Sequence, residues 1–305
     1  MPIIRREYLD RGHSPTELAA SVRRGQLVRL RRGGYAEPNP LATPEQRHRE
    51  LPELTLPSLG SGSVLSHATA GVLHGLWLPA NQLRRVHVCR DGKGGASVTR
   101  HLHVHRPDPE SSTVPVPDGE LRMTDLLGTT VALLRQLPIA DAVGVADSAL
   151  RQGLDPDELL AAIAARKRIP GNRLARRAAE FADPLSESRG ESWSRWQMCQ
   201  LGIAAPGLQH EVRTNHGEHV ARCDFWWQKL GLVGEFDGAV KYGRLLKPRQ
   251  SVQDVVLAEK HREEAIRRQG LWVVRWTWSE VRSDKFGEII SSAMRNAPRV
   301  QNRSA

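Results

Sequence analysis

Two short runs separated by four residues limit the fold of this chain more than any other feature: Arg222-Cys223-Asp224-Phe225-Trp226-Trp227 and Leu232-Val233-Gly234-Glu235-Phe236-Asp237-Gly238. Strand alternation puts Ala221, Cys223, Phe225 and Trp227 on one face of the first run, an apolar set that needs a core, and turns Arg222 and Asp224 the other way. In the second run Glu235 and Asp237 share a face. A two-residue turn at Lys229-Leu230 would set Asp224 opposite Glu235 and Arg222 opposite Asp237. Directly opposed carboxylates repel unless a cation lies between them, so a hard divalent ion, Mg2+ or Mn2+, is the expected occupant. Lys241 follows within reach of such an ion. The plainer reading is a solvated hairpin face, although the end of an apolar strand is an unusual position for two acids.

Motifs on both sides extend the pattern. Ser186-Glu187-Ser188-Arg189-Gly190-Glu191-Ser192-Trp193 reads as a helix start. Glu191 stands three residues after Ser188, which allows either a capping box or metal and catalytic duty, with Glu187 as the rival acid one turn earlier. The helix expected over Asp254 to Gln269 carries Lys260 and Arg262 beside Glu259, Glu263 and Glu264. Those charges can form i,i+4 surface pairs, or Lys260 and Arg262 can face phosphate. Gly270-Leu271-Trp272-Val273-Val274-Arg275-Trp276 then reads as a further strand.

Together these motifs, over roughly residues 184 to 295, resemble the PD-(D/E)XK nuclease superfamily, in particular its branch similar to very-short-patch-repair endonucleases. The resemblance implies metal-dependent phosphodiester hydrolysis, with Asp224, Glu235, Glu191 and Asp237 as metal ligands and Glu191, Asp224, Glu235 and Lys241 as catalytic residues. One departure stands out. The superfamily spacing of acid, any residue, lysine is replaced here by Glu235-Phe236-Asp237, with Lys241 six residues after Glu235.

The N-terminal segment is basic. Residues 1 to 35 hold eight arginines against three acids, a local net of +5 and half of the chain's +10. Such a charge favours an acidic partner, nucleic acid first, because neutralising phosphates releases counterions. Ser14-Pro15-Thr16-Glu17 is a capped helix start, and Gly25 is a stop signal. Val28-Arg29-Leu30-Arg31-Arg32-Gly33-Gly34-Tyr35 then alternates, so Arg29 and Arg31 should face phosphate while Val28 and Leu30 pack inward. This segment resembles the N-terminal winged helix-turn-helix of AbiEi-type antitoxins, with only one short helical stretch before Ser14 where three helices are expected. The resemblance implies DNA contacts from Arg23, Arg24, Arg29, Arg31 and Arg32, to which the C-terminal helix would add Lys260 and Arg262. It also implies a second reading: a non-catalytic antitoxin and autorepressor whose partner is a nucleotidyltransferase-like toxin.

Between these ends, residues 36 to 57 carry five prolines around a second capping box at Thr43-Pro44-Glu45-Gln46. Val64 to Leu76 resembles the antitoxin family's second-domain helix, a strand is expected at Arg85 to Arg90, and helices dominate from Pro138 to Asp183. His101, His103 and His105 share one strand face, but an extended strand spreads them along it, which argues against a metal site made by that strand alone. Cys89, Cys199 and Cys223 are odd in number and far apart, as in a reduced compartment. No apolar signal core follows Met-Pro-Ile-Ile-Arg-Arg and no run of 18 apolar residues occurs, so a cytoplasmic chain with no membrane partner is expected. The sequence therefore predicts a mixed α/β protein. Its expected parts are a short winged-helix-like region (1–36), a mixed α/β middle domain (37–183), a restriction-endonuclease-like α/β domain (184–295) and a tail (296–305).

Overall fold

Local capping chemistry sets the first elements. Strand β1 (Ile3–Ile4) and helix α1 (Arg5–Asp10) precede α2 (Pro15–Arg23), where Ser14 Oγ accepts the Glu17 N–H at 3.2 Å and the Glu17 carboxylate accepts the Ser14 N–H at 2.7 Å. Strands β2 (Val28–Arg31) and β3 (Gly34–Ala36) follow, and the three strands form a small sheet in the order β1-β3-β2. The register shifts between Arg29 and Arg31, and this irregularity corrects the expected facing. Val28 is exposed, whereas Arg31 is buried and donates to Thr55 Oγ1.

The structure, a computed structural model, describes residues 2–55, 59–60, 62–91, 95–117, 121–166, 168–238 and 252–298. The chain is mixed α/β and divides into two units, Met1–Glu180 and Phe181–Ala305. After the basic N-terminal sheet, the first unit continues through α3 (Pro44–Arg49), again opened by a complete capping box, and α4 (Leu51–Thr55). Strands β4 (Val64–Leu65), β5 (Val86–Cys89), β6 (Ser97–Val98), β7 (Leu102–His105), β8 (Thr113–Pro115) and β9 (Arg122–Thr124) make a six-stranded sheet in the order β6-β7-β5-β4-β9-β8. Helix α5 (His67–Leu73) lies between β4 and β5 in the chain, and its Ala70 packs with Leu65, Val86, Val88, Val104 and Met123. Helices α6 (Leu126–Gln136), α7 (Ile139–Arg151), α8 (Pro156–Ala165) and α9 (Asn172–Phe181) complete the segment.

The second unit is a four-stranded sheet between helical layers. It comprises α10 (Arg189–Gln200), β10 (Gly207–Arg213), β11 (His219–Trp227), β12 (Leu232–Asp237), α11 (Val252–Arg268), β13 (Trp272–Thr277), α12 (Trp278–Val281) and α13 (Phe286–Asn296). The order is β10-β11-β12-β13, antiparallel except for the parallel pair β12 and β13. On one face Phe225, Trp227, Leu232 and Trp276 pack with Met198 of α10 and Phe286 and Ile290 of α13. On the other, Cys223, Val233 and Val273 pack with Ile266 of α11. Full burial of Phe225 alone stabilises by roughly 2–3 kcal/mol.

The hairpin between β11 and β12 has the expected register, with Phe225 opposite Gly234 and Trp227 opposite Leu232. Its turn is wider than two residues: Gln228–Leu230 forms a 3-10 turn, and Gly231 at φ 57° closes it in the left-handed region. Gly234 is bare for a packing reason, since a Cβ there would lie 2.6 Å from the Trp276 ring. Among the described residues no helix is long and apolar enough to cross a membrane.

Candidate acidic site and nucleic-acid interface

The start of α10 brings an acid to the sheet. Ser188 caps the helix by accepting the Glu191 N–H, and Gly190 lets the first turn lie against β12, because a Cβ at that position would sit 2.0 Å from the Phe236 ring. Glu191 is thereby buried. Its carboxyl accepts from the Glu187 N–H at 2.8 Å, Ser188 Oγ at 2.7 Å and Gln209 Nε2 at 3.0 Å. The reciprocal capping box is not formed: Ser188 caps the helix, but the Glu191 carboxyl takes the Glu187 N–H rather than the Ser188 N–H, and it also faces Asp224. Burial first, and then the charge of Asp224, push its pKa from 4.5 up to about 7.

The strand geometry beside Asp224 is irregular on both sides. The β11–β12 ladder ends at Phe225 and Gly234, and beyond it the Asp224 carboxylate accepts the Phe236 N–H at 2.8 Å, as a backbone carbonyl would. On β10, Gln209 adopts φ 52°, a left-handed conformation unusual for a residue with a side chain, and the ladder skips it between Leu208 and His210. Its amide is the group that reaches Glu191.

The predicted convergence of Asp224 with Glu235 does not occur. Once the ladder ends, alternation no longer carries across the hairpin, and the two acids go to different partners. Asp224 faces Glu191, while Glu235 is buried beside Cys223 and between two guanidinium groups. Arg275 Nε donates to Glu235 Oε2 at 2.9 Å, and Arg262 Nη2 lies 2.7 Å from Oε1, in an ion pair not aligned as a hydrogen bond. Burial and the neighbouring Glu235 carboxylate push the Cys223 thiol up to about 12, so Cys223 is packing rather than a nucleophile. Arg275 also meets Glu259 at 2.8 Å and Glu263 at 3.3 Å, which ties β13 to α11.

Asp237, at the end of β12, has a buried Oδ1 with no hydrogen-bond partner among the described residues. It follows Phe236, whose N–H the Asp224 carboxylate holds. Lys241 lies outside the described residues. Glu187 pairs with Arg222, which withdraws it from the role of rival acid.

The basic residues separate in the same way. Arg23, Arg24, Arg29 and Arg32 are exposed, and Arg29 and Arg32 line a groove of about 740 Å3 with Arg5, Arg6 and Tyr35. Sequence reasoning missed Arg5 and Arg6, although their position beside the hairpin follows from β1 pairing with β3. Arg31 is corrected: its guanidinium is buried and its pKa is lowered by that burial, so it packs rather than reads phosphate. Arg262 is occupied by Glu235, by Glu259 at 3.3 Å and by the Arg222 carbonyl at 2.8 Å, while Lys260 is exposed.

No family model matches the chain. Two uncharacterized proteins of Mycobacterium tuberculosis, one from strain CDC 1551 / Oshkosh and one from strain ATCC 25618 / H37Rv, are each 34% identical to it over 110 residues, which is 36% of this chain. The chain spans 40% of the length of these curated relatives. A crystal structure of another Mycobacterium tuberculosis protein aligns with 70% of this chain and 84% of its own, at a TM-score of 0.34 and 13% identity, a likeness too weak to carry an argument.

Proposed function

We propose that the chain is a DNA-binding protein whose second unit hydrolyses phosphodiester bonds with the help of a divalent metal ion. The observation that carries this reading is the pairing of two carboxyl groups, Glu191 and Asp224, deep enough that one holds its proton to about pH 7. An arrangement that costs stability at neutral pH needs a compensating role, and a hard cation supplies one. Asp237, one residue past the Phe236 N–H that Asp224 accepts, offers a further carboxylate oxygen, its Oδ1 having no partner among the described residues. Glu191, Asp224 and Asp237 would hold the ion by closing on it, since among the described residues their ligand atoms are not already grouped within 4.8 Å; Glu235 does not fit, because Arg262 and Arg275 already offset its charge. When bound, Mg2+ or Mn2+ lowers the pKa of a water and offsets charge developing on the phosphate.

The chain's own residues supply the rest. Gly190 and Ser188 hold the Glu191 carboxyl at the sheet, and the Phe236 N–H orients Asp224. Arg5, Arg6, Arg29 and Arg32 give a basic groove that suits a phosphate backbone. That groove, beside two helices and a three-stranded sheet, would serve equally the second reading, a DNA-binding regulator without catalysis.

Cleavage of single- and double-stranded DNA in Mg2+ or Mn2+, with an EDTA control, separates the two. The expected result is metal-dependent cutting lost in Asp224→Ala and in Asp237→Ala. A folded wild type that binds DNA and cuts nothing would leave the regulator, and cutting that survives Asp224→Ala would overturn the assignment of the site.

A further inference from the structure

The first unit carries a cluster of imidazoles that the proposed hydrolysis does not use. Strand β5 reads Val86-His87-Val88-Cys89 and β7 reads Leu102-His103-Val104-His105, and the two pair in parallel with His87 beside His103 and Cys89 beside His105. Alternation then sends Val86, Val88 and Val104 into the apolar core and gathers His87, His103, His105 and Cys89 on the opposite face. The neighbouring strand thus solves the spreading problem that one strand cannot. His101, expected to belong to the set, falls outside β7, and His87 takes its part.

The rings are close. His87 Nδ1 lies 3.0 Å from His105 Nε2, and one ligand atom from each of His87, His103 and His105 falls within 4.8 Å of the others. Tetrahedral zinc with nitrogen ligands at about 2.0–2.1 Å requires nitrogens roughly 3.3–3.4 Å apart, so small ring rotations suffice. A fourth imidazole, His67 at the start of α5, stacks on His105 with centroids 3.6 Å apart. Its backbone stands at φ 47°, a conformation that costs a side-chain-bearing residue energy and holds this ring over the face. His67 and Cys89 both line a cavity of about 430 Å3. Hydrogen bonding alone is a poor reason to bury so many imidazoles together, since each ring needs a partner and like rings share few.

We propose that His87, His103 and His105 form a transition-metal site, with Zn2+ as the favoured ion and the third ligand, His103, on its more exposed side. Three imidazoles suit Zn2+, Cu2+ and Ni2+ and reject Mg2+ and Ca2+, which separates this site from the oxygen-rich one in the other unit. The ion would replace the proton now shared between His87 and His105.

The test is titration of the full-length, chelator-stripped protein with Co2+, read by visible absorption, followed by displacement with Zn2+. One Co2+ per chain with intense visible bands, lost in His103→Ala and retained in His101→Ala and in Asp224→Asn, is expected. His103 is half-buried, so its alanine variant should keep the wild-type circular dichroism. His105→Asn, checked for folding in the same way, should lose the bands as well. Absence of stoichiometric binding by the folded wild type, or bands that persist in His103→Ala, would overturn the site.

Discussion

Replacing Glu191 with glutamine should stabilise the protein above neutral pH while abolishing the proposed cleavage. The carboxyl's pKa rises from 4.5 to about 7 on folding, through burial first and the Asp224 charge second. A raised folded-state pKa means that the folded protein holds this proton more tightly than the unfolded chain. Its contribution is therefore complete below pH 4.5 and is lost as pH rises through 7. At about 1.36 kcal/mol per pH unit, the interval from 4.5 to about 7 corresponds to roughly 3 kcal/mol. Glutamine suffers no such loss, and it is isosteric. Its oxygen can accept from the Glu187 N–H and Gln209 Nε2, and its amide can donate to Ser188 Oγ. Urea unfolding of both proteins from pH 4 to 9 reads the difference. The two should agree near pH 4, diverge between pH 4.5 and 7, and differ by roughly 3 kcal/mol in favour of glutamine at pH 8. Mg2+ should narrow the gap, because it would bind only the ionised wild type. A glutamine variant less stable than wild type at pH 8 would refute the reasoning and leave Glu191 as an acceptor at the helix start alone.

Other consequences are as direct. Gly190→Ala should cost roughly 1–3 kcal/mol, seen as a lowered Tm, because its Cβ would enter the Phe236 ring; adding Phe236→Leu should recover part of that loss, and an unchanged Tm in the single variant would contradict the close approach of α10 to β12. Glu235→Ala should lower stability by roughly 2–4 kcal/mol, somewhat below the range for fully buried pairs because Arg262 and Arg275 keep part of their side chains in water. Asp237→Ala should not lower it, since it removes a buried oxygen that has no partner among the described residues; equal losses in the two variants would argue against their different roles. In metal-free protein on a Glu191→Gln background, acid should destabilise the fold. The pKa values of His87 and His105 are depressed from 6.5 to about 3 by burial, so their contribution is present above pH 6.5 and lost as pH falls toward 3. Each should account for roughly 2 kcal/mol at pH 5, and urea midpoints that match at pH 7 and pH 5 would contradict buried neutral rings.

Much of the local structure was legible because its causes are local. The capping boxes at Ser14 and Thr43 and the register of the Asp224 hairpin all follow from spacings of a few residues. What failed depended on small departures from ideal strands. Alternation predicted that Arg31 faces solvent, but a single register shift after Arg29 turned it inward. The same rule predicted that Asp224 meets Glu235, but it holds only while the ladder lasts, and the ladder stops at Phe225. The histidine face was illegible for a different reason. His87 and His103 are sixteen positions apart, and nothing local announces that β5 and β7 pair in parallel.

The fate of Glu235 and Asp237 follows from what surrounds each of them. Glu235 sits where α11 and β13 bring Arg262 and Arg275 together, and two half-buried guanidinium groups without a carboxylate between them would repel and be poorly solvated. Glu235 offsets both at once and fastens α11 to the sheet, so a divalent ion taking its oxygens would leave those cations only Glu259 and Glu263. Among the described residues Asp237 faces no such competition, and its Oδ1 has no partner to surrender. A metal ion joining Glu191 and Asp224 would therefore recruit Asp237 at far lower cost than Glu235. On the proposed reading, the acid pair that looks equivalent in Glu235-Phe236-Asp237 would be one structural counter-ion and one ligand.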